Sequence, residues 1–257
     1  MSSITIRRCC IGEGRPKVIV PIVERTEAAI LQKAAAFSTS SADCVEWRAD
    51  WFADALDADA LDADALSRCL RGLRAALGEK LLLVTFRTQA EGGEAALTAD
   101  QYAAFCAAVC ASGCADLLDI EYFSAGERLS QWIAAAHAAG VKVVCSSHDF
   151  KKTPPCAELV ERMLRMQQAG ADLPKLAVMP TCRTDVLELL AATAEMADHH
   201  PETPVITMSM GALGAVSRLC GEAFGSAMTF ANPGTASAPG QVPLDVVDTV
   251  LDSLRLS

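Results

Sequence analysis

The chain has 257 residues, of which 51% are hydrophobic, and its formal net charge is −10 with a pI near 4.9. This length suits one or two domains, while the acidic balance argues against a surface that binds nucleic acid or anionic membranes. The N-terminus lacks the apolar segment of a signal peptide, and no apolar run approaches the roughly 20 residues of a membrane helix. We therefore expect a cytoplasmic protein with a small-molecule substrate and with no nucleic-acid or membrane partner.

Short β-branched or leucine-rich runs alternate along the chain with longer alanine-rich stretches. This alternation is typical of parallel strands joined by helical crossovers. The predicted strands cover residues 17–22, 43–48, 81–87, 116–121, 141–148, 174–179, 204–210 and 226–230. The predicted helices cover residues 24–38, 57–77, 98–112, 126–139, 156–169, 182–198, 214–223 and 243–255.

Glycines mark the joints between these elements. Gly78, Gly113, Gly140 and Gly170 each follow a predicted helix shortly before the next strand, and glycine readily adopts the left-handed conformation that ends a helix. Even repeats with short joints favour a closed (β/α)8 TIM barrel over an open, doubly wound sheet. We predict a single barrel domain over residues 1–257, in which residues 1–15 form a small hairpin that closes the bottom of the barrel.

Two patterns could suggest a metal site, but neither has the required spacing. The 11 cysteines are scattered and contain no C-x-x-C pair, which argues against both a metal centre and a disulfide framework. A repeat brings Asp57, Asp59, Asp62 and Asp64 close together, yet it lacks the glycine and the closing glutamate of a calcium loop. We interpret it as the solvated start of a helix, where acidic residues are favoured by the helix dipole.

Lys175 lies inside the apolar run 171–179, which is an unusual position for a cation. Lysine is almost never fully buried without a partner, and loss of water favours the neutral amine that attacks carbonyl groups to form a Schiff base. Alternatively, Lys175 lies at an edge, where its aliphatic stem covers apolar surface and its ammonium group reaches water. The polar residues on the other strands bear on this choice.

Side chains alternate between the two faces of a strand, so position in the sequence predicts which of them point into the barrel. In nearly every predicted strand, the ionisable residues lie on the face opposite the aliphatic ones. The predicted inward set is Glu46, Arg48, Arg87, Asp119, Glu121, His148 and Lys175. Burial of so many charges is costly in a purely structural barrel, so we predict an active site at the C-terminal ends of the strands. For Asp119 and Glu121, structural salt bridges are an equally good interpretation.

Three loops add candidate residues. Glu91 lies in a glycine-containing turn after Arg87, from which its carboxylate could orient His148. Arg218 lies near the start of the predicted helix 214–223, where an anionic carboxylate or phosphate would meet both the guanidinium and the helix dipole. Residues 233–241 are mostly small and are predicted to form a lid.

These residues match the motifs of a known family in both order and spacing. The matching segments are Glu46-Trp-Arg48-Ala-Asp50, Thr85-Phe-Arg87, Glu91-Gly-Gly, Asp119-Ile-Glu121, Ser147-His148-Asp149-Phe150, Pro174-Lys175, Met208-Ser-Met210-Gly, Ser217-Arg218 and Ser237-Ala-Pro-Gly-Gln241. From about residue 17 to residue 243, the chain resembles the type I 3-dehydroquinate dehydratases. One departure is Pro21, where many relatives have a serine, so we expect one substrate hydrogen bond fewer there.

The resemblance implies elimination of water from 3-dehydroquinate to give 3-dehydroshikimate, without a metal or another cofactor. Lys175 would form a Schiff base with the ring ketone, His148 would act as acid and base, and Glu91 would orient His148. The resemblance also implies substrate contacts and a homodimer. Arg218 would bind the substrate carboxylate. The other implied substrate-binding residues are Glu46, Arg48 and Arg87 at the ring hydroxyls, Ser237 and Gln241 in the lid, and Met208, Met210 and Phe230 as an apolar wall.

Two other functions compete with this interpretation. The first is an aldolase or transaldolase, which also uses a lysine on a barrel strand, although enzymes of this kind that act on phosphorylated sugars need a phosphate site after the seventh and eighth strands. The second is a non-catalytic relative that binds the metabolite as a sensor. Such a relative is expected to have lost Lys175 or His148, and this chain has both.

Overall fold

The computed structural model describes residues 2–52, 62–234 and 238–256. The strands are β1 (Ile4–Ile6), β2 (Cys9–Ile11), β3 (Lys17–Ile22), β4 (Cys44–Arg48), β5 (Leu81–Thr85), β6 (Leu117–Glu121), β7 (Lys142–Asp149), β8 (Leu173–Val178), β9 (Ile206–Ser209), β10 (Met228–Asn232) and β11 (Val242–Pro243). The helices are α1 (Glu27–Phe37), α2 (Ala63–Leu77), α3 (Ala99–Ser112), α4 (Tyr122–Ala125), α5 (Leu129–Ala138), α6 (Cys156–Gln168), α7 (Arg183–His199), α8 (Gly211–Gly214), α9 (Gly221–Phe224) and α10 (Leu244–Ser253).

Strands β3 to β10 are parallel and form the barrel. From β3 to β9 each strand pairs with the next one along the chain, and β10 pairs with β3. β9 and β10 are joined less extensively, just before the two strands begin. There Val205 and Ser226 form an isolated bridge, and the Ala227 N–H donates to the Val205 carbonyl at 2.8 Å. This arrangement confirms the predicted (β/α)8 barrel and its eight principal strands.

The barrel strands separate two apolar layers. Outward residues such as Val84 and Phe86 pack against the helices, while inward residues such as Leu83 and Val144 fill the lower lumen. The β1–β2 hairpin adds Ile6 and Ile11 to the lumen cluster, which confirms the predicted hairpin at the bottom of the barrel. The parity read from the sequence therefore identifies the two faces correctly.

A recurring hydrogen-bonded clamp joins the barrel strands in pairs at their N-terminal ends. Just before each of β4, β6, β8 and β10, a polar side chain accepts a hydrogen bond from the N–H of the second residue of the preceding strand. The acceptor and donor residues are Asp43 with Val18 at 2.8 Å, Asp116 with Leu82 at 2.9 Å, Asp172 with Val143 at 2.8 Å, and Ser226 with Thr207 at 3.0 Å. Each clamp fixes the register of one strand pair, and this clamp occurs four times around the barrel.

The prediction of a continuous helix over residues 214–223 is wrong. This region consists of α8, a 3-10 turn at Ala215–Arg218, and α9. The Ser217 hydroxyl donates to the Gly214 carbonyl at 2.7 Å and accepts from the Ser209 N–H at 2.8 Å, and such local bonds compete with helical ones. Arg218 therefore ends a turn instead of starting a helix, and the predicted helix-dipole contribution at this residue is also wrong.

Other boundaries differ from the predictions by a few residues. The last barrel strand is β10, not residues 226–230, because Ser226 serves as a clamp. The predicted helix 126–139 is interrupted at its start, where Gly126 adopts a positive φ of 52°. Helix α2 is capped by Asp62, whose carboxylate accepts from two backbone N–H groups. Asp57 and Asp59 lie outside the described residues.

Candidate active site

A cavity opens at the C-terminal ends of the barrel strands, and about 500 Å³ of space, open solvent included, lies within it and at its entrance. It is lined by Glu46, Arg48, Arg87, Glu91, Gly92, His148, Phe150, Lys175, Ala177, Met208, Met210, Arg218, Phe230, Ala238 and Gln241. Eleven of the twelve predicted site residues are among them. The twelfth, Ser237, lies outside the described residues. The structure thus brings together side chains that are up to 195 positions apart in the sequence, from Glu46 to Gln241.

Lys175 is buried in the middle of β8 and points into this cavity. It is 3% exposed, and its Nζ lies 3.5 Å from Asp119 Oδ2. Burial lowers the pKa of the Lys175 ammonium below its usual value, while the negative charge of Asp119 opposes this shift. An outward-pointing, hydrated lysine is thus inconsistent with the structure. The neutral amine is more accessible than in an exposed lysine, as nucleophilic attack requires.

Asp119 is the carboxylate that contacts the Lys175 amine. Its Oδ1 accepts hydrogen bonds from Arg87 at 2.9 Å and from the Ser146 hydroxyl at 2.6 Å. Burial alone would raise the pKa of this carboxyl, but Arg87 and Lys175 together hold it below the usual value. Asp119 therefore remains ionised and partly offsets a positive charge on Lys175.

Glu121 has a different environment from Asp119. It accepts from Arg87 at 2.9 Å and from both the N–H and the hydroxyl of Thr88, at 2.8 and 2.7 Å. These bonds join the end of β6 to the loop after β5. The structural interpretation of Glu121 fits this arrangement, whereas Asp119 contacts the candidate nucleophile directly.

His148 and Glu91 form a hydrogen-bonded pair at the mouth of the cavity. Glu91 Oε2 lies 2.8 Å from His148 Nδ1 and accepts the His148 backbone N–H at 3.0 Å. Burial raises the pKa of Glu91 to about 8, although Arg87 opposes this effect. Burial, together with nearby cations such as Arg87 and Lys175, lowers the pKa of His148 well below its usual value. The imidazole is therefore neutral near pH 7, with Nδ1 held by Glu91 and Nε2 left for proton transfer.

One ligand can contact both Lys175 and His148. Ser146 of β7 pairs with Lys175 of β8, so His148 lies two residues further along the neighbouring strand, on the same inward face. Two residues of a strand span about 6.6 Å, which is within the size of a six-membered ring with its substituents. The nucleophile and the proton carrier thus flank a common space.

Arg48, at the end of β4, is held in place by Asp50. Its guanidinium makes two bonds to Asp50, at 2.7 and 2.6 Å. Asp50 is 2% exposed and also accepts the backbone N–H groups of Arg87 and Glu94, at 3.3 and 3.1 Å. Glu46 accepts from the Thr85 hydroxyl at 2.8 Å. Asp50 belongs to the same short sequence motif as Arg48, but the sequence does not show that its carboxylate joins Arg48 to two backbone N–H groups.

Arg218 provides a buried positive charge on the far side of the cavity. It is 1% exposed; it donates to the Pro239 carbonyl at 3.2 Å and contacts Met208 Sδ at 3.4 Å. Burial lowers the pKa of its guanidinium to about 10. Its Nε has no hydrogen-bond partner among the described residues. A bound carboxylate would provide the missing acceptor and the counter-charge.

Sequence reasoning missed Phe150 and Ala177 as lining residues. Phe150 is stacked near the His148 ring, with centroids 6.5 Å apart and an angle of 21°. Ala177 shares the inward face of β8 with Lys175, so parity alone would have identified it. In the described ranges, no group of three or more His, Cys, Asp or Glu side chains is arranged to hold a metal ion. The helices seen there are all too short or too polar to traverse a bilayer.

Comparison with known proteins shows similarity along nearly the whole chain. A family model described as type I 3-dehydroquinase matches residues 18–257. A 3-dehydroquinate dehydratase of Salmonella agona (strain SL483) is 42% identical over 255 residues, which cover 99% of each chain. The type I 3-dehydroquinate dehydratase of Clostridium difficile, solved with covalent modified comenic acid, has a TM-score of 0.93 at 41% identity and covers 98% of both chains. The 3-dehydroquinate dehydratase of Enterococcus faecalis has a TM-score of 0.90 at 40% identity, covering 98% of this chain and 100% of that one.

Proposed function

The chain belongs to the type I 3-dehydroquinase family, and from this premise we propose how its residues carry out the reaction. The enzyme is a hydro-lyase that removes water from 3-dehydroquinate to give 3-dehydroshikimate, a step of the shikimate pathway of aromatic amino acid biosynthesis. Family membership decides against the aldolase alternative, and the presence of both Lys175 and His148 argues against a non-catalytic sensor. The observation that carries the assignment of roles is the buried Lys175 amine next to the neutral His148 imidazole.

Lys175 is the proposed nucleophile. Its neutral amine attacks the ring ketone, and the carbinolamine loses water to leave a cationic iminium. The Lys175 ammonium becomes the neutral amine by giving a proton to the His148 imidazole, and His148 passes this proton to the carbinolamine hydroxyl, which leaves as water. His148, neutral again, then removes the proton from the carbon next to the iminium. Electrons from that C–H bond move toward nitrogen, and the resulting enamine expels the β-hydroxyl, which His148 protonates. Hydrolysis of the iminium releases product and restores the amine.

The remaining side chains are proposed to bind and orient the substrate. Arg218 holds the carboxylate, since its buried guanidinium has an unsatisfied Nε. The ring hydroxyls face the proposed polar wall of Glu46, Arg48 and Arg87. The proposed apolar wall consists of Met208, Met210 and Phe230, which are all buried.

We propose that residues 233–241 act as a lid, with Ser237 and Gln241 closing over the substrate. Gln241 lines the cavity, and Arg218 holds the same segment through the Pro239 carbonyl. We further propose a single domain, a homodimer and a cytoplasmic location. The shared lumen core of hairpin and barrel supports the single domain. The family resemblance supports the dimer, which light scattering would test.

The test of the proposed roles is turnover of a lysine variant. Lys175→Ala is expected to lower kcat by at least about 10⁴-fold, because the covalent route is lost. The measurement is the rise in ultraviolet absorbance as the conjugated enone product forms. Lys33→Ala, on the outer helix α1, is the matched control and should retain wild-type turnover. Substantial activity in Lys175→Ala would contradict the assignment.

A further inference from the structure

The aromatic ring of Phe230 is positioned to interact with the Lys175 nitrogen. Lys175 Nζ lies 4.6 Å from the ring centroid, well inside the range of about 6 Å for cation–π contacts. Phe230 is 5% exposed and Lys175 is 3% exposed, so water screens the contact very little. A desolvated cation gains more from a ring face than an exposed one.

The charged groups around Lys175 leave its positive charge incompletely compensated. Asp119 is the anion in contact, but its Oδ2 is 3.5 Å away and its Oδ1 is already bonded to Arg87 and Ser146. Of the other charged groups whose fields reach the amine, Glu46 attracts the ammonium, while Arg87 and Arg48 repel it. A cation at this nitrogen therefore needs a further source of stabilisation.

We propose that the ring face of Phe230 stabilises the cationic iminium formed at Lys175, beyond its role as part of an apolar wall. This proposal rests on the proposed function, in which a bond forms between Nζ and the ketone carbon and the ketone oxygen leaves as water. The nitrogen, which is neutral when it attacks the ketone, carries a positive charge in the iminium. Unlike a carboxylate, the ring cannot take up a proton, so it stabilises the charge without quenching the electron sink.

The charge of each intermediate determines which reaction step reports the stabilisation by the Phe230 ring. At alkaline pH, where the free amine is neutral, the ring favours the iminium over the free ketone and neutral amine, and also over the neutral enamine that follows proton removal. The equilibrium is therefore measured at alkaline pH. Its contribution therefore shows most clearly in the equilibrium of iminium formation. His148→Ala prevents His148 from removing the proton next to the iminium. Iminium formation continues slowly with water as the acid, so after a long incubation the iminium equilibrates with added 3-dehydroquinate.

The experiment replaces Phe230 with phenylalanines carrying one, three or five ring fluorines, in the His148→Ala background. Fluorine withdraws electron density from the ring face while the shape and apolar character are largely kept. After equilibration with 3-dehydroquinate, borohydride reduces the iminium and intact mass gives the modified fraction. We expect the half-saturating substrate concentration to rise steadily with fluorination, by about 30-fold for five fluorines. Phe230→Leu, which keeps an apolar side chain without a ring, is expected to show a similar loss.

The same fluorinated residues at Phe105 provide the control, because this buried ring of α3 packs between helix and sheet. They are expected to leave iminium formation unchanged. A purely apolar role for Phe230 predicts constant or tighter binding, so a flat or falling series would overturn the proposal, as would an equal effect at Phe105. If the parent His148→Ala enzyme gives no adduct on Lys175, the proposed function fails before the ring is tested.

Discussion

At the scale of single residues, sequence parity identifies the inward position of Lys175 but not the environment of its nitrogen. The flexible four-carbon side chain of a lysine can reach water from many strand positions, so the sequence alone does not exclude a hydrated ammonium group. The 3% exposure excludes it. The partner carboxylate, Asp119, lies 56 residues earlier in the chain. Contact between the two depends on the register of three strands, β6 to β8, which a single sequence does not provide.

The shifted pKa of Glu91 predicts a pH-dependent stability difference. The carboxyl titrates at 4.5 ordinarily and at about 8 in the folded enzyme, because burial disfavours its charge. When the pKa of a carboxyl is higher in the folded state than in the unfolded state, the group contributes its full stabilisation at pH values below the unfolded-state pKa. This contribution is lost as the pH rises through the folded-state pKa. Glu91→Gln removes the titration, so the wild type should lose free energy of unfolding relative to this variant from about pH 4.5 to pH 8. Denaturant unfolding at several pH values measures the difference.

This comparison separates ionised from neutral Glu91 in the folded state. Groups other than Glu91 titrate in both proteins, so to first order their contributions cancel in the difference. A constant stability gap across this pH range would mean that the carboxyl is already ionised throughout, and that Glu91 faces His148 as an anion.

At the scale of elements, the lid segment meets α8 through two glycines. A Cβ on Gly240 would lie 2.2 Å from the Gly211 carbonyl oxygen, and the Gly211 N–H donates to the Pro239 carbonyl at 3.2 Å. Gly240→Ala is therefore expected to displace the lid and to raise KM by about 10-fold, since closure helps to hold the substrate. Steady-state kinetics measures this change.

Gly234→Ala is the matched control for the lid variant. Gly234 also has a positive φ, of 128°, but a Cβ there meets nothing within 4 Å among the described residues. Its substitution introduces similar backbone strain without the clash. Equal effects of both substitutions on KM would show that backbone strain, rather than the contact with Gly211, controls the lid.

The clamp at Asp116 predicts a loss of stability without a loss of catalysis. Asp116 is 8% exposed and accepts bonds from the Leu82 N–H and from Arg7 and Arg74. Asp116→Ala removes the acceptor of all three bonds and leaves the buried Leu82 N–H without its partner, so the free energy of unfolding should fall by about 3 kcal/mol. Chemical denaturation measures the loss, and kcat of the folded fraction should stay unchanged.

An exposed aspartate provides the control for this clamp. Asp100 forms a surface ion pair with Arg128, and its side chain is 95% exposed. Asp100→Ala should therefore change stability by less than about 1 kcal/mol. If both substitutions cost the same, the clamps at the base of the barrel contribute no more than ordinary surface pairs.

At the scale of the whole molecule, the barrel is predictable because one pattern repeats along the chain. Each strand run has an apolar outer face and each helix follows at a regular distance, so errors at single boundaries do not alter the architecture. The site is predictable for a related reason: ionisable residues on inward positions converge at one end of a closed sheet. Eleven predicted residues line one cavity.

Features that depend on tertiary contacts could not be predicted from the sequence. The clamp at Ser226 displaces the start of β10, and the bonds of Ser217 divide the predicted helix 214–223 into short turns. Asp50 similarly gains its importance from backbone groups that belong to a different loop. In each case a side chain bonds to backbone that is distant in the sequence or that would otherwise be helical.

The most direct test of the Schiff-base mechanism is the chemical identity of the intermediate. Borohydride is added during turnover of 3-dehydroquinate, and the reduced protein is analysed by intact mass and peptide mapping. The proposed mechanism predicts one substrate-derived adduct, on Lys175, that is absent in Lys175→Ala and still forms in His148→Ala. An adduct on another lysine, or no adduct while product accumulates, would contradict it.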